Sequence, residues 1–106
     1  MTAKEKKGAQ VRRCFLICDI LVENVAYGLT NKEIADATRT SAVNAHRDLE
    51  LLESMGEVRR RDNGRWVLTT KPLARHKKYE QAHSDMIARA NEVRENITAA
   101  ATRRGG

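Results

Sequence analysis

Apolar side chains recur at Val11, Cys14, Phe15, Cys18, Leu21, Val22 and Val25, in steps of three and four that predict a helix over residues 9–26. Leu16, Ile17 and Ile20 widen this stripe until little of the middle is polar. A helix apolar on so many sides needs cover from several directions, so it is either the central helix of a domain or also packs on a second subunit. Gly28 offers it a left-handed end. Thr30-Asn-Lys-Glu33 then spells a capping box, in which the threonine hydroxyl takes an orphan amide and the glutamate reaches back to the cap. The short helix it opens turns Ile34, Ala35 and Ala37 inward and ends near Thr38 to Thr40. Thr40 or Ser41 caps the next helix, residues 42–54, whose inward positions are Ala45, Leu49, Leu52 and Met55, and Gly56 closes it. Residues 57–61 and 65–69 read as two strands joined by Asp62-Asn63-Gly64, with Val58, Trp66 and Leu68 inward.

Pro72 marks a boundary. Beyond it Tyr79, His83, Met86, Ala90, Val93, Ile97 and Ala100 alternate in steps of four and three along an unbroken stretch, the a and d positions of a coiled-coil seam. The seam is weak, because His83, Ala90 and Ala100 bury little surface. It can pair with a second copy, making a homodimer, or fold back on the first helix. The resulting layout is a disordered basic segment over 1–8, a domain over 9–70, a C-terminal helix over 72–102 and a disordered tail over 103–106. The fold class is mainly α with a small β-hairpin.

Composition narrows the chemistry. With 106 residues there is room for one ordinary domain and an appendage, and the four aromatic residues leave the core mostly aliphatic. The net charge of +6 suggests an anionic partner, and its distribution says more than its sum. Residues 1–13 carry +4, residues 14–55 carry −4, residues 56–71 carry +3 and residues 72–106 carry +3. The basic excess therefore sits at both ends and in the hairpin, around an acidic helical centre. Cys14 and Cys18, four apart on one helical face, are too far apart for an unstrained disulfide and read as small buried apolar residues. Free thiols suit a reducing cytoplasm. The charged start resembles a signal-peptide n-region, but Asp19, Glu23 and Asn24 interrupt the apolar segment, so neither a secretory nor a membrane-spanning segment is expected.

Helix, turn, helix and two-stranded wing, in that order, are the layout of a winged helix-turn-helix, and this points to double-stranded DNA. In that arrangement the second helix lies in the major groove with its first residues toward the base edges. Its outward face here offers Ala42, Val43, Asn44, His46 and Arg47. Asparagine pairs with adenine, arginine with guanine, and valine methyls meet thymine methyls. Arg39 and Ser41, just before, suit phosphate contacts that fix register. Asp48 lies at the margin of the face, to orient an arginine or to point away. In the wing over 57–69, strand alternation sends Arg59 and Arg61 opposite Val58, which makes them and Arg65 better phosphate or minor-groove candidates than Arg60.

Gly28-Leu-Thr, Glu33-Ile-Ala, His46-Arg47, Leu49, Leu52-Glu53, Gly56, Val58-Arg59 and Gly64-Arg65-Trp66-Val67-Leu68 follow one another in an order that resembles the amino-terminal DNA-binding domain of the IclR family of bacterial transcriptional regulators. The resemblance spans Thr30 to Leu68, about 40 of the 106 residues. It implies a winged helix-turn-helix fold and dimeric binding to palindromic operators. Arg39-Thr40 stand where the family often has Gly-Leu, and Ala42-Val43-Asn44-Ala45 where it often has a basic residue followed by Ser-Thr-Val. The family's effector-binding domain has no counterpart in the 36 residues after Thr70, so the expectation is a small stand-alone regulator of the kind phages and mobile elements encode, acting in the bacterial cytoplasm.

Enzymatic readings find little support. Ser41, His46 and Asp48 share one short helix and cannot converge as nucleophile, base and orienter. His76 and His83 sit on the long helix with no carboxylate at metal-ligand spacing, and no glycine-rich phosphate loop is present, so neither metal nor cofactor is expected. Two other functions compete: a winged-helix adaptor that docks on another protein, and non-specific nucleic-acid binding by the basic ends.

Overall fold

The computed structural model describes the backbone of residues 3–105 and the side chains of residues 8–103. The order is α1 (Ala3–Val22), α2 (Asn31–Ala37), α3 (Ala42–Ser54), β1 (Val58–Arg60), β2 (Trp66–Leu68) and α4 (Thr70–Gly105). The chain divides into two units, residues 1–72 and 73–106. It is mainly helical, with one small antiparallel hairpin and a long C-terminal helix.

The first helix begins six residues before the position that periodicity assigns to it. Residues 3–8, expected to be disordered, continue α1, in keeping with the high helix propensity of the Ala-Lys-Glu-Lys-Lys run. Residues 1 and 2, and residue 106 of the tail, lie outside the described residues. At its other end α1 stops at Val22, four residues before the expected end. There Asn24 donates its side-chain amide to the Ile20 carbonyl at 2.7 Å, and the chain turns back through Gly28 at φ +69°.

The face of α1 that meets the rest of the unit also differs from the expected stripe. Ile17 and Leu21 are fully buried, with Cys14, Cys18 and Ile20 packed beside them, whereas Val11, Phe15, Val22 and Val25 are exposed. Two overlapping apolar stripes occupy this helix, and only one of them faces α3 and β2. Ile34, Ala35, Ala45, Leu49, Leu52, Val58 and Trp66 complete the core. Ala37, expected inward, is exposed, and Thr38 is buried in its stead. The Thr38 hydroxyl donates to the Ile34 carbonyl at 2.8 Å, which satisfies it without a partner from another element. Met55, also expected inward, is 53% exposed, because it is the C-cap of α3 and the chain leaves the helical row there.

The hairpin pairs Val58 with Leu68, Arg59 with Val67 and Arg60 with Trp66. Leu29 forms a bridge on the other edge of β2, exchanging both backbone hydrogen bonds with Trp66 at 2.7 and 3.0 Å. This added pairing buries Val67, whose neighbour Leu68 is only half-buried, so the inward set is Val58, Trp66 and Val67. Thr69 then ties the hairpin to the end of α3, donating its hydroxyl to the Gly56 carbonyl at 2.6 Å and accepting the Lys71 amide at 3.2 Å. Pro72 lies inside the first turn of α4, where its missing amide hydrogen has no intrahelical role.

Within the second unit α4 continues as one helix on which every described side chain from Leu73 to Arg103 is exposed. Local i,i+4 pairs support it: His76 with Glu80 at 2.8 Å, Gln81 with Asp85 at 2.9 Å, and stacked rings of Tyr79 and His83 with centroids 6.0 Å apart. Among the described residues no helix is long and apolar enough to cross a membrane.

Candidate nucleic-acid interface

The capping box predicted at Thr30 and a cap at Ser41 set the starts of α2 and α3. Thr30 accepts the Glu33 amide at 3.1 Å, and Glu33 accepts the Thr30 amide at 2.9 Å. These Thr30 hydrogen bonds, backbone first, hold the Glu33 carboxyl below its usual range, with Arg65 adding a smaller attraction. Ser41, and not Thr40, caps α3 by accepting the Asn44 amide at 3.1 Å. Thr40 instead accepts the Asn44 side-chain amide at 3.2 Å.

The five base-reading candidates lie along the start of α3. Ala42, Val43, His46 and Arg47 are exposed, while Asn44 is half-buried with part of its amide engaged by Thr40. The Asn44 carbonyl oxygen and the Ser41 hydroxyl hydrogen have no part in these two bonds. His46 pairs with Glu50 one turn later at 2.7 Å, which draws the imidazole toward the acidic end of the helix. Asp48 is resolved as a core residue: it is fully buried, and both of its oxygens accept from the Arg13 guanidinium, at 2.6 and 3.2 Å. The hydrogen bond to Asp48 raises the Arg13 pKa further, and burial pushes up that of the neighbouring Cys14 thiol, which makes it a poor nucleophile.

Arg39 occupies the turn between α2 and α3 with φ +54°, the one non-glycine residue in the left-handed region among those described. A side chain there costs about 1 kcal/mol relative to glycine. Arg39→Gly is therefore expected to raise the stability of the first unit by about 1 kcal/mol in urea unfolding. An unchanged or lower unfolding midpoint would show that the turn carries no such strain.

The four hairpin arginines separate into two pairs. Arg61 donates to the Ala26 carbonyl at 2.8 Å, and Arg65 donates to the Gly28 carbonyl at 3.1 Å and to Glu33 at 3.3 Å. Both are half-buried against the link between α1 and α2. Arg59 and Arg60 are exposed, the latter with its guanidinium 5.8 Å from the centre of the Trp66 ring. Strand alternation ranks Arg60 lowest, yet it is one of the two outward cations. Trp66, directly opposite in the ladder, gives it a ring to lie over. Arg59, Arg60, Arg61, Asp62 and Asn63 together line a shallow open concavity.

The Gly28–Glu33 segment joins the two halves of this surface. Asn31 donates its side-chain amide to the Ala42 carbonyl at 3.1 Å, holding the start of α3, while Gly28 and Glu33 receive Arg65 at the base of the hairpin. Sequence reasoning missed this segment's role, and it also missed Asp48. The inward row Ala45, Leu49 and Leu52 already has Asp48 on its line, so helical spacing alone was enough to find a buried carboxylate there.

His76 does have a carboxylate one turn away, Glu80, contrary to the spacing argument, but the pair is exposed. Among the described residues no cluster of three or more histidine, cysteine or acidic side chains is arranged to hold a metal ion. The chain matches no family model, no curated protein and no solved structure.

Proposed function

We propose that this chain is a winged helix-turn-helix regulator that binds double-stranded DNA as a homodimer. On this reading α3 enters the major groove with Ala42, Val43, Asn44, His46 and Arg47 toward the bases. Arg39 and Ser41 meet phosphates at its start, and the hairpin lies on the flank. The observation that carries the reading is the joint anchoring of the exposed start of α3 and the arginine hairpin by one capped segment, Gly28–Glu33. A groove-reading helix and a flanking wing need a fixed spacing, and a shared anchor supplies it. Arg59 and Arg60 are the phosphate or minor-groove contacts, while Arg61 and Arg65 chiefly hold the wing to the body. The a/d row of α4 (Tyr79, His83, Met86, Ala90, Val93 and Ile97) supplies a dimer contact. Cys14 and Cys18, neither of them in a disulfide, suit a reducing cytoplasm.

A duplex selected from a random pool, titrated by gel shift at several salt concentrations, tests this reading. Affinity should fall steeply with salt, and Arg59→Ala and Arg60→Ala should each lower the slope by about 1. Arg47→Ala and Asn44→Ala should instead reduce discrimination between selected and random duplexes, by about 1–3 kcal/mol for each bidentate pair lost. Equal affinity for selected and random duplexes reduces the function to non-specific binding. No binding to any duplex at low salt overturns it, in favour of an adaptor that docks on protein.

A further inference from the structure

The outer stripe of α1 is left over from the core. Val11, Phe15 and Val22 are 58%, 71% and 59% exposed, with the half-buried Cys18 between them. Their steps of four, three and four place all four on one face, the spacing of a two-helix seam. Single exposed apolar side chains need no explanation, but a row of this kind bordered by charge does.

The charges beside it are arranged by sign along the helix. Arg12 stands on the flank of the stripe in its first half and Asp19 on the same flank one turn past the middle, both exposed. Glu23 follows Asp19, and Lys4, Lys6 and Lys7 precede Arg12 in the chain. A parallel copy of this helix would set basic against basic and acidic against acidic. An antiparallel copy sets Arg12 against Asp19 twice, once on each side of a two-fold axis. The same arrangement puts Val11 opposite Val22 and the Phe15 ring opposite the small Cys18, so that large meets small in the central layers.

We infer that the outward face of α1 is a self-complementary interface, on which a second copy of this chain packs its own α1 in antiparallel fashion about an axis beside Leu16 and Ile17. The seam spans twelve residues, about 17 Å of helix. Such a short contact makes the association modest and sensitive to its two flanking ion pairs. This inference adds a second contact to the proposed homodimer, and its measurement involves no DNA. A chain that dimerises this way but binds no duplex refutes only the DNA reading.

Sedimentation equilibrium of the full chain tests it, with Val93→Asp and Ile97→Asp introduced throughout so that the α4 row cannot hold the dimer. The expected species is twice the 12.0 kDa chain. Arg12→Asp and Asp19→Arg should each weaken the dimer by about tenfold, since each turns two attractions into two repulsions. The double variant R12D/D19R should return to within about threefold of the parent, because it restores both pairs with the signs exchanged. Phe15→Lys, at a position that contributes nothing to the core, should give a folded monomer by circular dichroism. A monomeric parent, single variants of unchanged affinity, or a double variant as weak as the singles would each overturn the inference.

Discussion

Arg13→Ala is expected to destabilise the first unit by about 3–5 kcal/mol, a large share of the stability of a domain this size. The reason is the asymmetry of the pair it breaks. Asp48 is fully buried and sits on the inward row of α3, whereas the Arg13 side chain keeps 23% of its surface in water. Removing the arginine strands a carboxylate in the core with both oxygens unpaired. Removing the aspartate leaves a guanidinium that can swing outward, so Asp48→Ala should cost less than Arg13→Ala. Replacing both with apolar residues of similar size, Arg13→Met with Asp48→Leu, should recover most of the loss, as buried ion pairs contribute little beyond a well-packed apolar pair. Urea unfolding of the four proteins compares these losses directly. A loss below about 1 kcal/mol for Arg13→Ala would mean that water reaches Asp48 and that the pair does not tie α1 to α3.

Gly28→Ala should be nearly as damaging, by about 3 kcal/mol, through backbone geometry rather than charge. Gly28 has φ +69°, which an L side chain resists by about 1–2 kcal/mol. A Cβ at that position would lie 2.4 Å from the Trp66 carbonyl oxygen and 2.7 Å from a Val67 methyl. That oxygen accepts the Leu29 amide at 3.0 Å, so relieving the clash pulls apart the bridge between Leu29 and β2. It also shifts the Gly28 carbonyl away from Arg65. The hairpin should therefore loosen along with the core, and amide exchange at Leu29 and Trp66 should quicken more than exchange in α3. Gly64→Ala is the contrast: it too has positive φ, but its added Cβ meets only the Arg60 side chain at 3.6 Å, so it should cost only the conformational part. Equal stability of Gly28→Ala and the parent protein would rule out the close approach at this turn.

Local chemistry was readable along most of the chain. The Thr30 capping box, the cap at Ser41 and the glycine turns at 28, 56 and 64 depend on residues within four or five positions of one another, and such interactions are written in spacing and side-chain type. The element order and the exposed start of α3 followed from them. The misreadings share a cause. Periodicity finds that a face is apolar but not which apolar face has a neighbour, and α1 has two. Which stripe of that helix enters the core was decided by where α3 and β2 lie, with the Arg13–Asp48 pair locking the choice across 35 residues of sequence.

The hairpin shows the same division at finer scale. Four arginines around a tight turn are evident in the sequence, and their positive charge needs no fold to be counted. Their separation into Arg61 and Arg65, bound to backbone carbonyls of the α1–α2 link, and Arg59 and Arg60, turned to solvent, arises from contacts 32 to 37 residues apart. Spacing rules reach one helical turn or one strand pair, so they determine caps, turns and periodic faces. The partner that a charged or apolar side chain meets across the domain depends on how whole elements pack, and only the folded chain brings those atoms within hydrogen-bond range.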